Sequence, residues 1–416
     1  MRKRKNLSSM VFVSVIALIL TMGLGAANAA EEVKVGALND MTGATSDVGK
    51  DYALGIAEAI HYINETGGIN GKQIKLTQFD YGYRVPEALT KYKLFKRLGS
   101  VAVLGWGTGD TEALSPTVTK DKMPYVSASY SGHLADPSKT PYNLFAATDY
   151  STNARATLTA WFDERWSKNP ENGKRQPRFA CVYMFASPYA SAPIKAIKDQ
   201  ATLLGFEIGP DQDVSLFAID SKSQVLGLKD FQPDVVWHGN TVMSVAATVR
   251  DAYSLQLGAD HIVNLWAFDE NLPKLAGPAA EGVMGAAVVA FYGEETPLMP
   301  KVLEYGKKFN PGVPVEKRTV HTVQAWANAL ALAEAMKRAD KAGKLDGEGI
   351  LKEGFETMKD YDLGLGGAKL TYTAADHRVS GVVPVYEVKD GKFNFVTKVD
   401  LESRWPEKWE KEWLGW

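Results

Sequence analysis

The chain is poor in cysteine, in histidine and in net charge. Its 416 residues include one cysteine, Cys181. That excludes an internal disulfide and a cysteine-cluster metal site. Cys181 stands in the apolar run Arg178-Phe-Ala-Cys-Val-Tyr183 and reads as core strand. The six histidines are scattered, none pairs at metal-ligand spacing, and His-Glu-x-x-His does not occur. His238 follows a strand end, so it faces either a cleft or the core. A net charge of -2 gives no electrostatic reason for nucleic acid or an acidic membrane as partner. The Gly-x-Ser-x-Gly elbow of serine hydrolases is missing, and so is an ATP-binding P-loop. No low-complexity tract or short-period repeat is present. No cofactor, no metal and no enzymatic activity are expected.

Long apolar runs are scarce as well, and the one that occurs lies at the start. Arg2-Lys-Arg-Lys5 is basic, Met10–Met22 is almost wholly apolar, and Ala27-Asn-Ala29 has the small-x-small pattern. Together they predict a secretory signal peptide over residues 1–29, cut after Ala29. The run is short for a membrane span and no second one follows. No cysteine stands at the cleavage site, so a soluble periplasmic protein is expected rather than a lipoprotein. The remainder is ordinary globular composition, 45% hydrophobic and 23% charged, and long enough for two domains.

What is there is a strand–loop–helix grammar. Its centre is Val101-Ala-Val-Leu-Gly-Trp-Gly-Thr-Gly-Asp110 followed by Thr111–Pro116, and then Pro124-Tyr-Val-Ser-Ala-Ser-Tyr-Ser-Gly132. Each begins as a short apolar run suited to a buried parallel strand. Each then breaks into Gly, Ser and Thr. Thr108 or Asp110 is a candidate N-cap for the helix that follows. Such loops lie at the carboxyl ends of strands, where open α/β sheets bind ligands. A helix N-terminus there suits an anion such as a carboxylate. Thr108, Ser127, Ser129 and Ser131 add hydroxyl donors. Gly105-Trp-Gly-Thr-Gly109 is not a dinucleotide loop, because Asp110 stands where the last glycine belongs.

The pattern starts earlier and repeats later. Val33–Leu38, Ile74–Phe79 and the central stretch are strands separated by helices carrying Tyr52, Ile56, Ile60 and Ile63, and then Leu89 and Tyr92. This βαβ order implies a parallel sheet with right-handed crossovers. After Asp149 it resumes. A helix is predicted over Ala154–Trp166, a strand over Phe179–Met184 and a helix over Pro188–Leu204. A strand then ends at Trp237, a helix covers Thr241–Leu257, and a strand covers His261–Phe268. The last third holds one long helix, Val320–Arg338, a strand at Lys369–Tyr372, and two strands around the turn Lys389-Asp-Gly-Lys392. Too few elements remain there for a third core, so the chain is expected to return to both earlier units.

Three motifs carry a family resemblance. They are Val35-Gly-Ala-Leu-Asn-Asp-Met-Thr-Gly43, Glu65-Thr-Gly-Gly-Ile-Asn-Gly-Lys72, and Val103-Leu-Gly-Trp-Gly-Thr-Gly109 in its spacing to Pro124–Ser129. In this order they resemble the periplasmic substrate-binding proteins of ABC transporters, in the leucine/isoleucine/valine-binding group, over about Val33 to Val399. The resemblance implies an α/β fold of two Rossmann-like lobes, the type I periplasmic binding fold, joined by three crossovers. It places lobe 1 at residues 30–149 and 291–372. Lobe 2 takes residues 150–290, with a lobe 2 return and Trp-rich tail at residues 373–416. It implies that Thr108, Ser129 and Ser131 hold a ligand carboxylate. Tyr189 matches the family's aromatic on lobe 2, another pocket position falls at Trp237–Asn240, and Asp269 matches the acid that pairs a ligand ammonium. Val48 departs from the family, which often has an aromatic there. Trp106, Tyr130, Tyr189 and Trp237 either line the cleft or pack the core. Asp269 either pairs an ammonium or caps a helix, and Asp110 reads as a cap. Trp405, Trp409 and Trp413 share a helical face that packs on a lobe or docks a partner.

The expected function is that of an extracytoplasmic solute-binding protein of an ABC importer. It binds an amino acid or related small carboxylate, branched-chain or aromatic, by hinge closure. The expected partners are ABC permease subunits, with the protein itself a monomer. Two alternatives remain open: a ligand sensor serving a chemoreceptor or kinase, and a binder of short amides.

Overall fold

A computed structural model describes residues 31–416; the expected signal peptide lies outside the described residues. Two sheets organise the chain. The first is five-stranded and wholly parallel, in the order β2-β1-β3-β4-β5, from β1 (Glu32–Asn39), β2 (Gln73–Asp80), β3 (Ala102–Gly105), β4 (Tyr125–Ser127) and β5 (Asn143–Leu144). The second has eight strands: β6 (Arg178–Tyr183), β7 (Glu207–Ile208), β8 (Gln212–Asp213), β9 (Val235–His238), β10 (Asp260–Val263), β11 (Met284–Ala286), β12 (Val382–Lys389) and β13 (Lys392–Asp400). Its first six strands pair in parallel, and β12 and β13 add an antiparallel edge. β1, β3, β4, β6 and β9 are almost entirely buried, as near-continuous apolar runs in a doubly covered sheet must be. This is the α/β architecture that the strand–loop–helix grammar implied.

The helices of the first unit are α1 (Ser46–Glu65), α2 (Val85–Leu98) and α3 (Thr108–Asp121). After β11 the chain returns to this unit, where the helix Val320–Lys341 packs along α1. A Cβ on Gly55 of α1 would lie 2.7 Å from the Thr322 carbonyl oxygen, so glycine permits that approach. The chain then crosses back as β12 and β13. The Thr66–Gly71 turn ends α1 with four left-handed residues, Gly67, Gly68, Asn70 and Gly71, at φ of +110°, +60°, +50° and +96°. Only glycine and asparagine adopt that region readily, which gives the motif its physical reason. The β12–β13 hairpin turns at Asp390 and Gly391, both at positive φ, as a two-residue turn requires.

Several predicted elements end elsewhere. The helix expected over Pro188–Leu204 is two helices, Pro188–Ser191 and Ile194–Leu203, because Pro193 supplies no N–H to continue the hydrogen-bond ladder. The helix expected from Ala154 begins at Tyr150 as α4 (Tyr150–Trp161), since Asp149 caps it by accepting from Thr152 N–H at 2.9 Å, and it runs on as a π-helical turn over Phe162–Trp166. The strand expected over His261–Phe268 stops at Val263. Asn264 then folds the chain into a turn, accepting from Trp266 N–H at 2.7 Å through its side chain and from Ala267 N–H through its carbonyl. Lys369–Tyr372 forms no strand; Leu370 makes an isolated bridge with Tyr361. Cys181 is fully buried in β6. Trp413 and Trp416 stack over the buried Arg155 guanidinium of α4 at 4.2 and 5.0 Å, whereas Trp409 packs under Arg378 and Trp405 meets Trp413. Among the described residues no helix is long and apolar enough to cross a membrane.

Candidate functional site

The loops that leave β3 and β4 face the loops of the second unit across a small cavity. On the first unit the wall is Thr45 and Val48 at the start of α1, Tyr83 after β2, Trp106, Gly107 and Thr108 after β3, and Ala128 after β4. On the other side it is Tyr150 at the start of α4, Tyr189, Thr241 and Trp266. The helix Val242–Ser254 begins immediately after Thr241.

The N-terminus of α3 opens on the cavity. Gly107 occupies the N-cap position, with Thr108 as first helical residue. Neither Thr108 nor Asp110 is the N-cap, as had been expected. Asp110 lies one turn in and is buried. It accepts a hydrogen bond from Tyr81 Oη at 2.6 Å, and its other oxygen has no protein partner. Burial pushes its carboxyl up to about 7, against the opposing pull of Tyr81 and the Gly107 N–H. Thr108 is held by Ser129, whose hydroxyl donates to Thr108 Oγ1 at 2.8 Å. The Thr108 hydroxyl also hydrogen-bonds Tyr150, so it belongs to a chain of hydroxyls along the cavity wall.

The aromatic walls are braced by their own polar ends. Trp106 Nε1 donates to Thr45 Oγ1 at 2.8 Å, and Trp266 Nε1 donates to Tyr150 Oη at 2.9 Å. Tyr150 Oη donates in turn to the Ala128 carbonyl at 3.1 Å, and Tyr189 Oη donates to Asn264 Oδ1 at 2.9 Å. Trp106 and Trp266 meet across the gap with ring centroids 5.0 Å apart and planes at 67°. Tyr83 sits at φ +56°, a left-handed conformation costly for a bulky residue, and such strain gathers at functional sites. The lobes also touch directly: Met243 N–H, at the start of its helix, donates to Asp47 Oδ2 on α1 at 3.2 Å.

Of the residues predicted from sequence, Thr108, Trp106 and Tyr189 line this cavity. Ser129 stands behind Thr108. Ser131 does not line it; its hydroxyl points to Glu112. Tyr130 is buried and stacks on Trp266 at 5.7 Å rather than facing the gap. Trp237 is core, because β9 is covered on both faces. His238 turns to His261, with ring nitrogens 3.0 Å apart, and burial holds both below the usual histidine range. Asp269 is fully buried, 2.9 Å from His321 Nε2, and accepts from Asn271 N–H at 2.8 Å. It neither lines the cavity nor N-caps a helix through its side chain. Sequence reasoning missed Tyr83, Tyr150, Thr241 and Trp266. Each lies just past a strand end or at a helix start, which is the signal that could have found them.

A periplasmic binding protein family model matches residues 32–392. Among solved structures, an ABC transporter substrate-binding protein from Aeropyrum pernix is 30% identical, with a TM-score of 0.80 over 89% of this chain and 96% of its own. A branched-chain amino acid ABC transporter protein from Thermus thermophilus, solved with bound valine, is 23% identical with the same TM-score over 89% and 96%. A solute-binding protein from R. palustris in complex with benzoate is 16% identical, with a TM-score of 0.72 over 88% and 96%. A search of curated proteins finds no match. The chain belongs to the periplasmic binding protein family, among the substrate-binding proteins of ABC transporters.

Proposed function

We propose that this periplasmic binding protein takes a small carboxylate with an apolar body, amino acid or simple acid, between its lobes and delivers it to the permease subunits of an ABC importer. On this reading the lobes divide near residues 149, 290 and 372, and the basic, apolar and small-residue N-terminus directs export to the periplasm. The observation that carries the reading is the junction of Thr108 with the α3 N-terminus inside an aromatic cavity. Helix N–H groups and a hydroxyl converge where an anion would sit. The rings of Trp106, Tyr189 and Trp266 remove an apolar body from water. A micromolar complex needs about -8 kcal/mol. Two or three hydrogen bonds to a charged group, at roughly 1.5–3 kcal/mol each, together with apolar burial supply that.

Closure brings the two halves of the site together, so ligand contacts made on both lobes favour the closed form. Thermal-shift screening with valine, leucine, phenylalanine, benzoate and 3-methylbutanoate tests the reading. A ligand at a hundred times its dissociation constant stabilises the fold by about 2.7 kcal/mol. The expected hit loses affinity in Thr108→Ala. A hit that Thr108→Ala leaves untouched would place the ligand elsewhere.

A further inference from the structure

We infer that the ligand carries no ammonium group: the cavity takes a carboxylic acid with an aryl or branched apolar body in preference to the α-amino acid of the same skeleton. This rests on the reading that the interlobe cavity is the ligand site. None of the residues that line the cavity is an aspartate or glutamate. What the lining offers is donors. The α3 N-terminus presents its positive pole beside the Thr108 hydroxyl, and Thr241 turns its hydroxyl to Asp47. A carboxylate is matched by that set, whereas an ammonium beside it would be buried without a counter-charge, which is expensive.

Four acids stand near the cavity without lining it. Asp269, where the ammonium partner was expected, is held by His321 and by Asn271 N–H. Asp40 accepts from Gly43 N–H at 2.5 Å and from Thr45 N–H and Oγ1 at 2.7 and 2.8 Å. Asp110 gives one oxygen to Tyr81 and Asp47 gives one to Met243 N–H, and each has its other oxygen buried, so these two are the acids that the test must address. An aromatic cage for a cation is the other way to hold an ammonium. Here Trp266 is stacked on Tyr130 and on His321, with ring planes at 20° and 27°, and its edge meets Trp106. Trp266 therefore has no face open to a cation.

The test is calorimetry on matched pairs: 3-methylbutanoate against valine, and 3-phenylpropanoate against phenylalanine, with benzoate and glycine betaine as further probes. The expected result is that the acid of at least one pair binds a hundredfold or more tighter than its amino acid. Valine or phenylalanine binding as tightly as its deaminated partner would overturn the inference while leaving the carboxylate reading intact. Loss of that amino-acid binding in Asp47→Asn or in Asp110→Asn would name the missed counter-charge. Preferential binding of glycine betaine would overturn it in favour of a cation cage. Failure of every acid and amino acid, with binding of benzamide or 3-methylbutanamide instead, would overturn the carboxylate reading itself and the inference with it.

Discussion

His321 Nε2 lies 2.9 Å from the Asp269 carboxylate, and neither side chain reaches solvent. His321 Nδ1 faces Gln324 Oε1 at 2.8 Å, so both ring nitrogens meet oxygen acceptors. The ring stacks on Trp266, a wall of the cavity, with centroids 4.9 Å apart. The pair therefore ties the start of the helix Val320–Lys341, which packs on α1, to the loop after β10 on the opposite lobe.

Burial lowers the His321 pKa, and the Asp269 and Gln324 partners outweigh it, so the net shift is upward. A raised folded pKa means the native state holds the proton more tightly. The stability this adds is complete below the ordinary value of about 6.5 and is lost as pH rises through the folded value. His321→Gln should flatten that part of the pH profile. Urea unfolding at pH 6 and pH 9 measures it, and a wild-type midpoint independent of pH across that interval would refute the assignment.

Asp110 titrates in the opposite setting. Its folded pKa of about 7 lies above its unfolded value, so the native state binds the extra proton between roughly pH 4 and 7. Stability contributed by Asp110 should fall across that window and level off above it, by on the order of a few kcal/mol. Asp110→Asn keeps an acceptor for Tyr81 and cannot ionise. Relative to wild type it should therefore gain stability at pH 8 compared with pH 5, which denaturation at the two pH values reads directly.

Thr108→Ala removes the hydroxyl that lines the cavity beside the α3 N-terminus, and Ser129→Ala removes the group that holds it. A hydrogen bond to a charged partner contributes about 1.5–3 kcal/mol, so Thr108→Ala should weaken the tightest acid by roughly ten- to hundredfold. Ser129→Ala should cost less, about 1 kcal/mol. Titration calorimetry on both variants gives the order, and an equal or reversed order would mean that Ser129 does not act through Thr108.

Asp47 places a carboxylate against the first turn of the helix Val242–Ser254 across the lobe boundary. Charges at that end of a helix contribute about 0.3–1 kcal/mol. Asp47→Ala should open the unliganded protein and weaken a simple acid two- to fivefold, because apparent affinity scales with the closed fraction. Small-angle scattering reports the opening, and an unchanged radius of gyration would show that this contact does not hold the lobes.

Trp106 and Trp266 stand on opposite walls of the cavity and touch each other. A ligand entering between the lobes should change their fluorescence. The change should shrink in Trp266→Phe and in Trp106→Phe but persist in Trp237→Phe, since Trp237 lies in the core.

Much was legible because it is local. The Gly-Gly-Ile-Asn-Gly turn, the Asp-Gly hairpin and the alternation of apolar runs with amphipathic helices each express backbone preferences over a few residues. Element ends misread in sequence trace to single side chains: Pro193 splitting a helix, Asn264 folding a strand end into a turn, Asp149 starting α4 early. Thr108, Trp106 and Tyr189 were recoverable because they sit in the loops that such folds turn toward the cleft.

Sequence alone established the two-unit α/β plan and the loops able to form a site, since periodicity and turn chemistry act between near neighbours. Which side chains face the cavity was decided by tertiary structure. Asp269 and Tyr130 stand in cleft loops, yet His321, 52 residues on, holds the first, and the second stacks on Trp266. Tyr83, Tyr150, Thr241 and Trp266 come from four separate stretches and meet only in the folded chain. Burial and pairing between such distant segments have no period for a sequence to display.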